Sequence, residues 1–335
     1  MSRAVWFDGP RSAVIREEAD RRPDAGEVQV RAHYSLISPG SEMHVYRGDG
    51  GLPDGLIPTM SGSFDFPVKF AYQTVGEVVE VGDGVDLAPG DHVFCSHPHQ
   101  DLFTLPAGLA RTIDPAVDLQ RAVFASMFQV GLVCNLDAPI HSGEVVVVTG
   151  LGLIGSFCAF LARKSAGSLI VVDSSESRRA RADWIGADAI VPPDGVADAV
   201  DAVSGGRGAD LWIEASASGN ALQSAIDHTG QDGRVVVPAW YGMNPVTLRL
   251  SPEFHLRRLK IISSWVGLVG LGFQPRWDPF RLTTAAIRFL ADVDLDRIIT
   301  HRIPFAEAPR AYEIIDSGVE DALGVVLVHD QAAHA

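Results

Sequence analysis

The stretch "EVVVVTGLGLIGSFCAFLARKSAG", residues 144–167, decides the fold of this chain. Its first part is an apolar run without polar alternation, as expected for a strand that is covered on both faces. A glycine-rich turn follows and leads into an apolar segment of helical length, with Gly167 near its end. The stretch therefore predicts a buried strand, a tight turn and a helix.

The same alternation continues downstream. Apolar runs are separated by segments of helical character, among them "SESRRARADWIG" at residues 175–186, which predicts one continuous helix. Alternating strands and helices of this kind indicate right-handed βαβ units on a doubly wound parallel sheet. Residues 1–125 instead show short alternating runs divided by Gly and Pro, typical of a β-rich domain. The predicted fold class is α/β with an additional β-rich domain; one amphipathic helix and two or more strands are expected after residue 270.

The glycines of the opening stretch form the pattern G-x-G-x-x-G at Gly150, Gly152 and Gly155, between a strand and a helix. Asp173 ends the next strand, 18 residues after Gly155, the spacing typical of a ribose-binding acid. This context predicts a dinucleotide site on the helix N-terminus. Asp173 would repel a 2′-phosphate, which favours NAD(H) over NADP(H). The other predicted cofactor-binding residues are Leu153, Ile154, Ser174, Arg178 and Trp240.

Composition excludes several classes of protein. The chain has 335 residues, a formal net charge of −15 and three cysteines without a C-x-x-C pair. The acidic balance argues against nucleic-acid binding, and the cysteines cannot form a disulfide framework or a cysteine-rich zinc lobe. The sequence has no apolar run long enough to span a membrane, and its start lacks a signal-peptide core. A cytoplasmic protein with a small-molecule substrate is expected.

Three segments upstream of the glycine pattern carry a resemblance to a known family: "PGSEMHVYRG" at 39–48, "AYQTVGEVVEVG" at 71–82 and "PGDHVFCSHPHQ" at 89–100. In this order the chain resembles the medium-chain dehydrogenase/reductase superfamily over its whole length. Within that superfamily, "SLISPGSE" at 35–42, "PHQD" at 98–101, "WYG" at 240–242 and "EFHLRRLKIISS" at 253–264 resemble the zinc-free branch of bacteriochlorophyllide-type dehydrogenases. The resemblance implies a homodimer and three parts: a GroES-like catalytic domain at 1–125, a Rossmann NAD-binding domain at 126–270, and a C-terminal return at 271–335.

The resemblance also shows where zinc ligands belong, and this sequence lacks them. Pro39 stands in place of one cysteine, Tyr72 and Gln73 in place of the histidine and its neighbour, and residues 125–127 offer no soft donor. No zinc is therefore expected. A metal held by Cys95, His97 and His99 is a weaker alternative. Tyr72 is expected either to donate a hydrogen bond to the reacting oxygen or to fill the former metal site.

The resemblance further implies that Ser41 contacts the reacting oxygen and that His44 carries its proton to solvent. Histidine suits proton exchange near neutral pH, although His44 could instead only pack or cap. His97 is a further candidate for holding the oxygen. The expected substrate pocket includes Gln73, Gln129 and Trp265.

Three functions follow from these residues. The first is a zinc-independent, NAD(H)-dependent oxidoreductase acting on a secondary alcohol or ketone, in a biosynthetic pathway. The second is an enoyl or enone reductase, in which hydrogen-bond donors alone stabilise the enolate oxygen. The third is a dinucleotide-binding protein without turnover. Reactions in which NAD is retained and recycled are a smaller alternative.

Overall fold

The structure is a computed structural model that describes residues 1–51, 64–267, 276–319 and 321–329. The chain divides into two compact units, one formed by Met1–Ser126 with Thr283–Ala335 and the other by Met127–Leu282. None of the helices within the described ranges combines the length and apolarity that crossing a bilayer requires.

The N-terminal part of the first unit is mostly β-structure. Its strands are β1 (Ser2–Gly9), β2 (Ser12–Glu18), β3 (Glu27–Ile37), β4 (Thr74–Val81), β5 (His92–Cys95), β6 (Leu102–Pro106) and β7 (Ala110–Thr112). Its helices are α1 (Ser41–Arg47) and α2 (Leu119–Ala122), and α3 (Ala125–Asp137) follows at the boundary with the second unit. Strands β1 and β2 form an antiparallel hairpin.

The second unit alternates strands and helices. Its elements are β8 (Val145–Thr149), α4 (Leu153–Arg163), β9 (Ser168–Val172), α5 (Glu176–Ala180), β10 (Ala189–Val191), α6 (Val196–Ser204), β11 (Ala209–Glu214), α7 (Gly219–His228), β12 (Thr229–Val237), α8 (Glu253–Leu256) and β13 (Lys260–Ser263). The strands form a parallel sheet in the order β10-β9-β8-β11-β12-β13. Val146 and Val148 of β8 are buried in one core, and Val145 and Val147 in the core on the opposite face. The run lacks polar alternation because both faces of the strand are covered.

The C-terminal segment completes the first unit. It contains α9 (Pro279–Leu290), β14 (Ile299–Pro304), α10 (Ala308–Ser317) and β15 (Gly324–Val328). The large sheet of this unit has the order β14-β15-β3-β4-β5-β7, and β6 also pairs with β3. Tyr312 of α10 stacks on Tyr46 of α1, with ring centroids 5.3 Å apart. Helix α10 therefore packs against α1, the helix that begins with Ser41.

The predicted fold class is confirmed, with two local differences. The helix predicted at 175–186 ends at Ala180, and a 3₁₀ turn at Ala182–Ile185 follows, because this tighter turn buries Ala182 and Ile185. The segment after residue 270 contains a second helix, α10, which the sequence analysis missed. Its buried residues, Ala308, Ala311 and Tyr312, recur at helical spacing, so the signal was present in the sequence.

Candidate active site

Three hydroxyl groups meet in the first unit. Tyr72 Oη lies 2.6 Å from Ser41 Oγ and 2.9 Å from Ser38 Oγ, and the two serine oxygens are 3.2 Å apart. Ser38 is buried, whereas Ser41 and Tyr72 are partly buried. We call these three residues the hydroxyl cluster. Each hydroxyl can donate one hydrogen bond and accept others, so the cluster can rearrange its protons around an incoming oxygen.

Strand pairing brings the cluster together. Ser38 follows β3 and Ser41 begins α1, while Tyr72 precedes β4, which pairs with β3 in antiparallel register at Ser35 and Thr74. This pairing places residues that are 31 and 34 positions apart in the sequence within hydrogen-bonding distance. The cluster thus rests on the end of a long strand pair, a rigid support for side chains that must hold a ligand.

Burial raises the pKa of Tyr72 to about 12, and the hydrogen bonds with Ser38 and Ser41 offset only part of this rise. The phenol therefore keeps its proton near neutral pH. Tyr72 is a hydrogen-bond donor in this site and has little tendency to act as a base.

Gln73 does not join the hydroxyl cluster. Its side chain is fully buried, and its amide nitrogen donates to the backbone oxygen of Leu36 at 3.3 Å. Because neighbouring residues of an extended chain face opposite sides, Tyr72 and Gln73 diverge. Gln73 braces β3, and this position does not support its predicted place in a substrate pocket.

His44 lies one helical turn after Ser41 on α1 and is partly buried. Its Nδ1 is 2.7 Å from Asp49 Oδ1, which fixes the orientation of the ring. A carboxylate accepts, so Nδ1 carries the proton of this hydrogen bond.

His97 is buried and stacks on Phe103, with ring centroids 3.8 Å apart and an interplanar angle of 10°. Its Nδ1 donates to the backbone oxygen of Pro98 at 2.9 Å, since a carbonyl oxygen can only accept. Burial lowers the pKa of His97 to about 3. The ring is therefore neutral, with Nε2 as an acceptor, and this state does not support the predicted role of His97 in donating to the reacting oxygen.

The residues at this site do not fit a zinc ion. Tyr72 and the serines of the cluster present hydroxyls, whereas catalytic zinc takes three ligands from His, Cys, Asp or Glu. Within the described parts of the chain, no three such side chains are grouped so that they could hold a metal. His97 Nδ1 is bonded to the Pro98 backbone and His99 Nε2 to the Glu42 carboxylate, so this geometry does not support the alternative site around Cys95.

The glycine turn of the second unit fits a dinucleotide. Gly150 has φ +91°, which favours glycine, and a Cβ on Gly155 would lie 1.6 Å from the backbone oxygen of Gly150. A Cβ on Gly152, in contrast, would meet no protein atom within 4 Å. The space above Gly152 at the N-terminus of α4, where Leu153 and Ile154 form the first turn, is thus open to a phosphate group. We call the Gly150–Gly155 turn together with Asp173 the cofactor cradle.

Asp173 holds the cradle in shape. Its carboxylate accepts from the backbone N–H of Leu151 at 2.6 Å and from that of Ser175 at 2.7 Å. Arg179 donates to the backbone oxygens of Asp173 and Ser174, at 2.7 and 3.0 Å. These contacts fix the end of β9 where the adenosine ribose would bind.

The other predicted residues of the second unit are placed as follows. Gln129 is buried on α3, Trp240 is partly buried after β12, and Trp265 is 53% exposed after β13. Arg178 lies on α5, where its backbone N–H donates to Ser175 Oγ. Their roles in binding cofactor or substrate stay predictions.

Sequence reasoning assigned no role to several residues that the structure brings into these sites. In the first unit these are Ser38 and Glu42; Glu42 lies in the segment at 39–48 that carries the resemblance, and Ser38 directly precedes that segment. The sequence suggested His99 only as a metal ligand, whereas its Nε2 donates to Glu42. In the second unit, buried Glu214 at the end of β11 accepts from Tyr241 Oη at 2.5 Å. Burial and the charge of Glu214 raise the pKa of Tyr241. No local sequence signal links these two residues, which are brought together by the sheet.

Comparison with known proteins agrees with this architecture. The family model for zinc-binding dehydrogenase matches residues 152–280. D-guloside 3-dehydrogenase of Escherichia coli K12 is 26% identical, covering 94% of this chain and 96% of that protein. The 2-desacetyl-2-hydroxyethyl bacteriochlorophyllide A dehydrogenase of Cereibacter sphaeroides is also 26% identical, covering 92% of each chain.

Among solved structures, an alcohol dehydrogenase of Escherichia coli CFT073 complexed with NADH superimposes with a TM-score of 0.79. It is 19% identical and covers 98% of this chain and 99% of its own, so it shows the shared fold alone. The β-rich unit, the parallel sheet with its glycine turn, and the dehydrogenase relatives lead to one assignment. They support the medium-chain dehydrogenase/reductase superfamily for this chain, and with it an oxidoreductase with a dinucleotide-binding fold.

Proposed function

We propose that this chain is a zinc-independent oxidoreductase that transfers hydride between NAD(H) and a secondary alcohol or its ketone. The observation that carries the proposal is the hydroxyl cluster, with Tyr72 Oη 2.6 Å from Ser41 Oγ, at the place where the resemblance expects metal ligands. The relatives reported above are dehydrogenases, which supports an alcohol or carbonyl substrate.

When bound, NAD(H) supplies the carbon that accepts or gives the hydride. The chain's own residues then act on oxygen. Ketone reduction develops negative charge on the carbonyl oxygen, and preorganised O–H donors stabilise it, with one such donor contributing about 10²- to 10³-fold in rate. Tyr72 is suited to this task because its raised pKa keeps the phenol protonated.

The proton at the substrate oxygen is assigned to Ser41, and exchange with solvent to His44. Ser41 begins α1, and His44 lies one turn later with its ring oriented by Asp49. A hydroxyl in contact with a second donor can pass on one proton while it accepts another. Tyr72 and Ser38 would keep Ser41 hydrogen-bonded throughout this exchange.

Asp173 supports NAD(H) as the cofactor. A carboxylate at the end of β9 accepts hydrogen bonds from ribose hydroxyls and repels a 2′-phosphate. Arg179 Nη1 is hydrogen-bonded to the backbone oxygens of Asp173 and Ser174.

A second function, reduction of a C=C bond conjugated to a carbonyl, is favoured by the same hydroxyl cluster. The enolate oxygen that forms in such a reaction also needs hydrogen-bond donors and no metal. The test below therefore includes enones beside alcohols and ketones.

One purified sample tests the proposal. Elemental analysis should find less than about a tenth of a zinc per chain, and fluorescence titration should find tighter binding of NADH than of NADPH. Nicotinamide absorbance is then followed with secondary alcohols, polyols and sugars, their ketones, and enones, with and without a chelator. Chelator-resistant turnover of an alcohol or ketone is expected. Stoichiometric zinc with chelator-sensitive turnover would refute zinc independence, and turnover of enones alone would establish the second function.

The homodimer, the cytoplasmic location and the biosynthetic role stay predictions. Light scattering on the purified chain tests the first of them, and a monomer at working concentration would contradict it.

A further inference from the structure

Glu42 is a fully buried carboxylate beside the hydroxyl cluster. Its Oε2 accepts from the backbone N–H of Ser38 at 2.9 Å, and its Oε1 accepts from His99 Nε2 at 3.0 Å and from Tyr312 Oη. The three donors come from the loop before α1, from the segment after β5, and from α10. A single side chain therefore joins three separate segments of the first unit.

The buried Glu42 carboxylate destabilises the folded chain unless its hydrogen bonds to the three donors are all kept. A buried carboxylate without partners is strongly destabilising, and each donor offsets part of the desolvation. The His99 ring is also fully buried, and its Nδ1 has no hydrogen-bond partner within the described residues. The geometry thus gives Nε2 one role, donation to Glu42. Tyr312 stays a donor because burial and the charge of Glu42 raise its pKa well above the usual value.

The Glu42 carboxylate reaches the hydroxyl cluster through Ser38. The backbone N–H of Ser38 is held by Glu42, while Ser38 Oγ is within 2.9 Å of Tyr72 Oη and 3.2 Å of Ser41 Oγ. The hydrogen bond from the Ser38 backbone N–H to Glu42 closes the turn that leads into α1. The N-cap residue of α1 is Gly40, which has no side chain to cap the helix. Helix α1 has seven residues, too few to be stable by itself. Its first turn, and Ser41 with it, therefore depends on this carboxylate and on packing.

We propose that Glu42 is a positioning residue for the oxygen-binding site, held in place by His99 and Tyr312 so that Ser38 and Ser41 keep their distances to Tyr72. The proposal rests on the function proposed above. It assigns to the C-terminal helix α10 a part in ordering the site, although α10 lies more than 260 positions from Ser38 in the sequence.

The test compares Glu42→Gln with Glu144→Gln. Glutamine keeps the shape of Glu42 but turns an NH₂ group toward one of three donors, so the turn before α1 should shift. Because a displacement of about 1 Å can cost about 10²-fold, we expect kcat to fall by about that factor with the Kd for NADH unchanged. Glu144 accepts from Arg234 and from the His141 backbone in the other unit, so Glu144→Gln should lower Tm and leave kcat unchanged.

Tyr312→Phe and Tyr46→Phe form a second pair. The Tyr312 hydroxyl bonds to Glu42, whereas the Tyr46 hydroxyl donates to the backbone oxygen of Arg11 and the two rings stack on each other. Tyr312→Phe should lower kcat by about tenfold, less than Glu42→Gln because two donors remain. Tyr46→Phe should leave kcat unchanged. An equal kcat per folded molecule in all four variants, with only Tm reduced, would overturn the proposal.

A crystal structure of Glu42→Gln gives a measurement that does not depend on turnover. We expect the distance between Ser38 Oγ and Tyr72 Oη to exceed 3.5 Å, the limit of a hydrogen bond. If the wild-type chain reduces no carbonyl, the proposed function fails, and this distance alone decides whether Glu42 positions the cluster. An unchanged cluster in the variant would refute the positioning role even where turnover is found.

Discussion

The cofactor cradle and the hydroxyl cluster differ in how closely they follow the superfamily pattern. The cradle keeps every glycine of the pattern, and at Gly155 the backbone leaves no room for a Cβ. The cluster has hydroxyls where the resemblance expects metal ligands. The cradle depends on a phosphate group approaching the backbone closely, and no side chain can replace that contact. Stabilisation of an oxygen depends on donors, and more than one chemistry can supply them.

Gly152→Ala should give the largest effect and tests the cradle side of this comparison. A Cβ there meets no protein atom within 4 Å, so the fold should tolerate it, but it would occupy the space into which a pyrophosphate must approach. We expect the Kd for NADH to rise by about 10³-fold with Tm unchanged. Isothermal titration and thermal melting measure the two quantities.

Gly108→Ala in the first unit is the matched control, because its added Cβ is equally free of contacts. Gly155→Ala should differ from both by lowering Tm as well, since its Cβ would collide with the turn itself. Unaltered NADH affinity in Gly152→Ala would show that the turn does not hold the dinucleotide.

Tyr72→Phe should give the next largest effect and tests the cluster side. Removal of one oxygen removes the donor with the raised pKa and leaves Ser38 and Ser41 to bond to each other. We expect kcat to fall by about 10²-fold with little change in the Kd for NADH. Steady-state kinetics on the substrate found in the screen gives kcat, and fluorescence titration gives the affinity.

Tyr34→Phe, a tyrosine of β3 outside the cluster, is the control for loss of a phenol. A kcat for Tyr72→Phe equal to that of wild type would mean that Tyr72 only fills the space that a metal ion occupies in other members. The hydroxyl cluster would then not replace the metal ligands in stabilising the reacting oxygen, although the glycines of the cradle would keep their role.

The sequence predicted the cofactor cradle more completely than the hydroxyl cluster, and the reason is physical. The cradle is local: Gly150, Gly152 and Gly155 lie within one turn, and strand β9 brings Asp173 to the same edge. The cluster and its support are long-range. Ser41 and Tyr72 meet only through the register of β3 with β4, and Glu42 meets Tyr312 across 270 positions. No spacing rule encodes such a meeting, so the sequence could suggest Tyr72 and Ser41 by resemblance but gave no role to Ser38 or Glu42.

His97 shows the same limit. Its residue type and neighbourhood suggested a polar contact, but the stacking on Phe103 and the bond to the backbone of Pro98 depend on the packing of β6. The parallel sheet, in contrast, followed from its apolar runs, because burial on both faces leaves a pattern in the sequence itself.

Asp173→Asn should give a smaller effect and shows how sharply the cradle selects its cofactor. Loss of the charge removes the repulsion of a 2′-phosphate and weakens the bonds to ribose. We expect the ratio of the Kd values for NADPH and NADH to fall by about tenfold. Asp188→Asn is the control, because Asp188 also accepts from a backbone N–H and an arginine in this unit. A ratio that moves equally in both variants would place the selectivity elsewhere.

The smallest effect concerns His97 and the stability of the first unit at mild acidity. Burial lowers the pKa of His97 to about 3, so the unfolded chain takes up a proton near its ordinary pKa of 6.5 while the folded chain does not. Stability from this residue is therefore complete above pH 6.5 and is lost as pH falls toward 3. Between pH 7 and 5.5 the loss is about 1 kcal/mol.

Urea unfolding of His97→Gln at both pH values measures this loss, since the variant should lack that part of the pH dependence. Other buried histidines, such as His329, whose pKa burial also lowers, are present in both proteins and cancel in the difference. His141→Gln, at an exposed position, controls for the substitution. If His97→Gln and wild type lose equal stability between the two pH values, His97 must be solvated or charged in the folded chain. A charged ring would carry a proton on Nε2 as well as on Nδ1, and His97 would then recover its predicted role as a donor to the reacting oxygen.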